Sequence, residues 1–187
     1  DMQYIKLNTN ESPFPPSKEV SEAVLYESQK LQLYSDPESV NISTKLAEIY
    51  DVKPNQVIVT NGSDEVLNFA FMAFCDESHP IVFPDLTYGF YPVFAELNRI
   101  PYEEIPLEDD FAIDIDKYCG INKNIIIANP NAPTGIFVPL SEIERIVKTN
   151  PHNIVVVDEA YVDFGGESAV RLIGKYENLI VVQTFSK

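Results

Sequence analysis

The chain has 187 residues, with 13 lysine plus arginine against 29 aspartate plus glutamate, a formal net charge of −16 and 45% hydrophobic residues. That apolar fraction suits a globular core and excludes a disordered segment, and the length points to one domain with at most a small appendage. The acidic balance argues against nucleic acid or an anionic membrane surface as partner, because no basic surface offsets phosphate repulsion.

Residues 8–16 (NTNESPFPP) form a Pro- and Asn-rich loop. Val20, Ala23, Val24 and Leu31 recur at near-helical spacing and predict an amphipathic helix over 17–31. Ile42, Leu46, Ile49 and Tyr50 predict a second helix, opened by Asn41 or Ser43. An alternation then begins. Val57–Thr60 reads as a short strand, followed by Asn61-Gly62-Ser63-Asp64 and a helix over Val66–Phe74. Ile81–Phe83 is the next strand, with a helix around Phe90–Leu97, and Tyr102–Ile105 is a weaker strand. Ile125–Asn129 is a strand, followed by the turn Pro130–Gly135 and a helix from Ser141 to Lys148, with Ser141 as N-cap. Ile154–Asp158 and Leu179–Gln183 complete the strands. Strands apolar on both faces and separated by helices predict an α/β fold with a mainly parallel sheet flanked by helices. In such sheets ligands bind beyond the carboxyl ends of the strands. The segments Asn61–Asp64, Pro84–Tyr88, Pro130–Gly135, Asp158–Tyr161 and Thr184–Lys187 should therefore gather at one edge.

Elsewhere the sequence is bland. Cys75 and Cys119 make neither a disulfide framework nor a zinc spacing, and two reduced thiols suit a cytoplasmic protein. His79 and His152 stand alone beside prolines, and Glu108–Asp116 lacks the glycine of a calcium loop, so no metal is expected. The N-terminus shows no signal peptide, and no apolar run approaches the about 18 residues of a membrane span. The chain does not begin with Met, which leaves room for an upstream piece.

The usual nucleotide motifs are missing: there is no GxGxxG, and Gly174-Lys175 is followed by Tyr176 rather than Ser or Thr. The strand-end residues make better sense around pyridoxal 5'-phosphate. This cofactor needs an amine for its aldehyde, an acid at the pyridine nitrogen, a cradle for the phosphate and a flat partner for the ring. Lys187 can supply the amine and Asp158 the acid. Gly62, Ser63 and Asp64 at a helix start can present backbone N–H groups to phosphate, with hydroxyls from Thr184 and Ser186. Tyr88 can stack on the ring, and Tyr161 can bond its phenolic oxygen. Each has a plainer competitor. Asp158 could be a helix cap, Tyr161 and Tyr88 packed aromatics, Ser63 and Asp64 ordinary N-caps, and Lys187 a frayed terminal charge.

Seven segments, LNTNESPFPP (7–16), YSDP (34–37), TNGSDE (60–65), FPDLTYGFY (83–91), NPNAPTG (129–135), VVDEAYVDF (156–164) and TFSK (184–187), run in one order along the chain. Together they resemble the class II aminotransferases of fold type I, most closely the histidinol-phosphate branch. The resemblance implies that Lys187 carries the cofactor as the Schiff-base lysine and that Asp158 and Tyr161 contact it. It implies an N-terminal arm and first helix over 1–35 and a large cofactor-binding domain over 36–187, with the small domain absent. It also implies amino transfer between L-histidinol phosphate and 2-oxoglutarate in histidine biosynthesis. Tyr34 would reach the phosphate of a neighbouring subunit in a homodimer, and Asn10 and Glu11 would fold over the substrate. The family asparagine before the proline is here Ala132, with Asn131 the nearest substitute. Three other readings stay open. One is a related class II enzyme, either an aromatic aminotransferase or a threonine-phosphate decarboxylase. The second is an inactive large-domain fragment, and the third a hydrolase using Ser186 beside Lys187.

Overall fold

A computed structural model describes residue 5 and residues 8–187. Leu7, the first residue of the N-terminal motif, and most of the stretch read for a leader lie outside the described residues.

Five strands, β1 (Ile81–Pro84), β2 (Tyr102–Ile105), β3 (Asn124–Ala128), β4 (Val155–Asp158) and β5 (Leu179–Val182), pair in the order β2-β1-β3-β4-β5, every pair parallel. The helices are α1 (Lys18–Ser28), α2 (Val40–Tyr50), α3 (Ser63–Phe74), α4 (Tyr91–Leu97) and α5 (Leu140–Thr149). The pleat divides the core. Ile125 and Ile127 face a cluster with Ile143, Ile146 and Val147 of α5, while Ile126 and Ala128 face Leu67 and Phe71 of α3 and Phe94 and Ala95 of α4. Every residue of β1, β3 and β4 is buried, whereas β2, an edge, is mostly exposed. This is why the inner strands read as continuous apolar runs and β2 as a weak one.

Four sequence expectations shift. Val57–Thr60 forms no strand: Val57 is extended, the run pairs with nothing in the sheet, and Ile58 is 79% exposed. A β-branched run becomes a strand only where a neighbour accepts its backbone hydrogen bonds. The first helix is shorter than 17–31 and buries no residue. The second begins at Val40 rather than at Asn41 or Ser43, because Asp36 Oδ1 and Oδ2 accept from the Glu38 and Val40 amides and satisfy the start from outside the helix. The N-cap of α5 is Pro139, and Ser141 is the second residue of the helix.

Both cysteines are half-buried free thiols, and burial pushes the Cys75 thiol up to about 11. His79 is exposed and bonds Asp76 through Nδ1 at 2.8 Å, and His152 is exposed. Among the described residues no group of acids, histidines and cysteines could hold a metal, and no helix is long and apolar enough to cross a membrane.

Candidate active site

The order β2-β1-β3 means that the chain leaves β1 for one edge and returns to the other side of it. Such reversals open a crevice at the carboxyl ends of the strands. A cleft of about 170 Å³ lies there, and all five segments expected at this edge contribute to it, four after strands and Asn61–Asp64 at the start of α3. Gly62, Ser63 and Asp64 come from the start of α3, Tyr88 follows β1, Pro130 and Ala132 follow β3, Asp158 ends β4 with Tyr161 after it, and Ser186 and Lys187 follow β5.

One wall is the N-terminus of α3. Gly62 is its N-cap, with φ +78° and ψ 175°, and no side chain caps the first turn. A side chain at Gly62 would be strained at that φ, although the space beside it is open. Ser63 and Asp64 are the first helical residues rather than caps. Asp64 does not aim its carboxylate at a prospective anion: Oδ1 accepts from the Tyr88 hydroxyl at 2.9 Å. What this wall offers an anion is its backbone N–H groups and the positive end of the helix dipole.

The floor is Asp158, 5% exposed. Its Oδ2 accepts from the Tyr91 hydroxyl at 2.7 Å and its Oδ1 from the Ala160 amide at 3.2 Å. Burial holds its carboxyl above the ordinary value of 3.8, with the two hydrogen bonds opposing and the charges of Asp64 and Glu159 reinforcing the rise. Both donors are neutral, and no cation pairs with Asp158 among the described residues. A buried carboxylate so held calls for a cationic N–H from the cleft.

At the opening, the exposed Lys187 sets its Nζ 5.8 Å from the centre of the Tyr161 ring. The Tyr161 oxygen accepts from Asn10 Nδ2 at 2.9 Å, which leaves the phenolic proton for another acceptor. Tyr88 is half-buried, its ring stacked on Phe90 and edge-on to Tyr91; burial and the Asp64 carboxylate push its phenol well above the usual range. Ser186 Oγ and Thr184 Oγ1 share a hydrogen bond of 2.7 Å.

Of the residues singled out from the sequence, Gly62, Ser63, Asp64, Tyr88, Asp158, Tyr161, Ser186 and Lys187 line this cleft. Thr184 reaches it only through Ser186. Asn10 is joined to it through Tyr161, Glu11 is exposed, and Tyr34 stands fully exposed without lining the cleft. The structure does not bring Asn131 to the cleft. Its Oδ1 accepts from Thr87 Oγ1, and its Nδ2 donates to the Leu86 carbonyl and to Thr134 Oγ1. These bonds brace the loop, so the cleft sees Ala132 instead. Two further residues of the site carry no distinguishing signal in the sequence: Tyr91, the last residue of FPDLTYGFY, and Glu159, inside VVDEAYVDF. Glu159 is 2% exposed and accepts from Ser168 Oγ, the Ala169 amide and Gln183 Nε2.

The family profile described as aminotransferase class I and II matches residues 2–187, and the chain belongs to this family. Among curated relatives it is 50% identical over 188 residues to the histidinol-phosphate aminotransferase of Clostridium acetobutylicum, covering 100% of this chain and 53% of the relative. It is 54% identical over 184 residues to histidinol-phosphate aminotransferase 1 of Hydrogenovibrio crunogenus, covering 98% of this chain and 52% of that one. The chain thus spans about half the length of the curated relatives it matches. In fold it is similar to the histidinol-phosphate aminotransferase of Sinorhizobium meliloti, solved in complex with pyridoxal-5'-phosphate. That match has a TM-score of 0.87 at 24% identity and covers 96% of this chain and 51% of the other.

Proposed function

We propose that this chain forms the cofactor-binding part of a pyridoxal-phosphate-dependent aminotransferase that moves an amino group between L-histidinol phosphate and 2-oxoglutarate. The observation that carries the reading is the convergence of three unlike groups on one cleft: the Lys187 amine, the buried Asp158 carboxylate and the uncapped start of α3. The donor set fits the cofactor group by group. The N–H groups after Gly62, with Ser186, would take the phosphate, Asp158 the pyridine nitrogen, Tyr88 the ring face and Tyr161 the phenolic oxygen. Identity near 50% to two histidinol-phosphate aminotransferases supports the choice of substrate.

When bound, the cofactor supplies an aldehyde that takes up the amino group and a protonated ring that draws electron density from the substrate Cα. The chain's residues do the rest. Lys187 Nζ would hold the cofactor and would take the substrate Cα proton as general base. Asp158 keeps a proton on the ring nitrogen, and Tyr161 donates its remaining proton into the cleft. Tyr34, whose phenol is exposed, would serve the neighbouring site of a homodimer, and Asn10 and Glu11 would cover the substrate. The arm over 1–35 and the large domain over 36–187 belong to this reading, as does a cytoplasmic location, which two free thiols favour.

The test uses the full-length protein that carries these residues. Loaded with pyridoxal phosphate, it should show the cofactor's visible absorption band and turn over histidinol phosphate faster than phenylalanine or threonine phosphate. Lys187→Ala should lose the band and roughly 10²–10⁴-fold in rate. Faster turnover of phenylalanine or threonine phosphate would reassign the substrate. A retained band in Lys187→Ala would overturn the lysine's role.

A further inference from the structure

We propose that Tyr91 is a positioning residue that aims the Asp158 carboxylate into the cleft and holds it as an uncompensated anion. The inference rests on the cofactor reading above.

Tyr91 opens α4, is 0% exposed, and its hydroxyl makes a 2.7 Å bond to Asp158 Oδ2 across 67 residues of sequence. Its ring is wedged against Phe83 and Tyr88, at centroid distances of 5.8 and 5.6 Å. The phenol therefore has a fixed position from which to donate. The second oxygen, Oδ1, takes the Ala160 amide. With one donor on each oxygen, the carboxyl plane is set while lone pairs remain on both oxygens for a ligand.

The chemical identity of the donor matters. An arginine or lysine at this position would neutralise Asp158 inside the protein and leave little attraction for a cationic ring. A methyl or phenyl group would leave one buried oxygen without a donor and favour the protonated acid. A phenol does neither, since it supports the negative charge without cancelling it. It acts against the groups that favour protonation. These are burial itself and the carboxylates of Asp64 on α3 and of Glu159, the residue after β4. Tyr88, Tyr161 and Lys187 share the cleft, and Tyr88 passes its own proton bond to Asp64 rather than to Asp158. Tyr91 is thus the one side chain among the described residues that donates to Asp158.

The experiment compares the full-length holoenzyme with Tyr91→Phe, which keeps the ring and removes only the hydroxyl. The dissociation constant for pyridoxal phosphate, the pH midpoint of the bound cofactor's absorption change and the melting temperature without cofactor are all measured. The expected result is a dissociation constant raised at least tenfold together with an upward move of the pH midpoint, because a ring that has lost positive charge releases its other proton less readily. A melting temperature lowered with both other quantities unchanged overturns the inference, as does a weaker affinity with an unmoved midpoint, since lost packing alone would produce either. Should Tyr91→Phe not fold, Tyr91→Phe in an Asp158→Asn background replaces it. There the hydroxyl's loss should add nothing to the affinity defect of Asp158→Asn, and a further tenfold loss would overturn the inference. A wild-type protein that binds no pyridoxal phosphate would instead defeat the cofactor reading itself.

Discussion

Asp158 shows how a residue can be costly to the fold and valuable to the site. Its carboxyl is held above the ordinary value of 3.8, first by burial. A folded-state pKa above the unfolded one means that the folded protein binds the proton more tightly. Stability is then lost as the pH rises from the unfolded value through the folded one, and at neutral pH the ionised group is a standing cost. Asparagine removes the charge; its carbonyl oxygen can keep the Ala160 amide, while its NH2 donates to the Tyr91 oxygen in place of the bond Tyr91 gave. Asp158→Asn should therefore stabilise the cofactor-free protein at neutral pH by about 1 kcal/mol, with the gain shrinking toward acid pH, while retention of pyridoxal phosphate falls. Urea unfolding of both proteins at acid and neutral pH measures this. A variant less stable than the parent at neutral pH would show that the hydrogen bonds, not burial, dominate the site.

Between elements, the counterpart is Glu159, one residue further along. Its carboxylate is buried but satisfied by the Ala169 amide at 2.6 Å, Ser168 Oγ at 2.7 Å and Gln183 Nε2 at 2.8 Å. Gln183 in turn accepts from the Tyr50 hydroxyl of α2. One side chain thus ties the end of β4 to the segment after β5 that carries Lys187. Glu159→Ala would leave three polar groups short of an acceptor and should cost about 3 kcal/mol in urea unfolding. Glu159→Gln, which keeps one acceptor, should cost less. Nothing in the sequence announces this clamp, because its partners lie 9 to 24 residues away and meet only through the fold. The inner strands were legible because both their faces are buried, which leaves an unbroken apolar run. Val57–Thr60 carries the same signature and is no strand, since pairing depends on a neighbour that composition cannot supply. The gathering of the four segments that follow β1, β3, β4 and β5 was legible from parallel topology, whereas Asn61–Asp64 comes to the same edge on the start of α3 and follows no strand. Which atoms face inward was not legible. Asn131 and Ala132 differ by one residue, and the loop's internal hydrogen bonds turn the amide into the protein and the methyl toward the cleft.

Across these 187 residues, the net charge of −16 sets a balance that local pairs do not repair. Among the described residues the ion pairs lie on the surface, several of them within one turn of a helix, such as Lys18–Glu22 and Lys45–Glu48. Exposed pairs of this kind contribute little each. The surplus of acids acts over longer distances and opposes compaction. Salt weakens both terms, but unequally: pairs in contact lose little further energy, whereas repulsion between separated carboxylates is largely screened once the Debye length falls below their spacing, roughly 10 Å at 0.1 M and 3 Å at 1 M. Added sodium chloride should therefore raise the melting temperature by a few degrees, equivalent to about 1 kcal/mol. The effect should be steepest at low ionic strength, where unscreened repulsion is greatest. Thermal unfolding across a salt series, repeated near the acidic isoelectric point where the charge surplus vanishes, separates this from a general salting-out effect. The rise should disappear there, and a rise of equal size at both pH values would refute the electrostatic account.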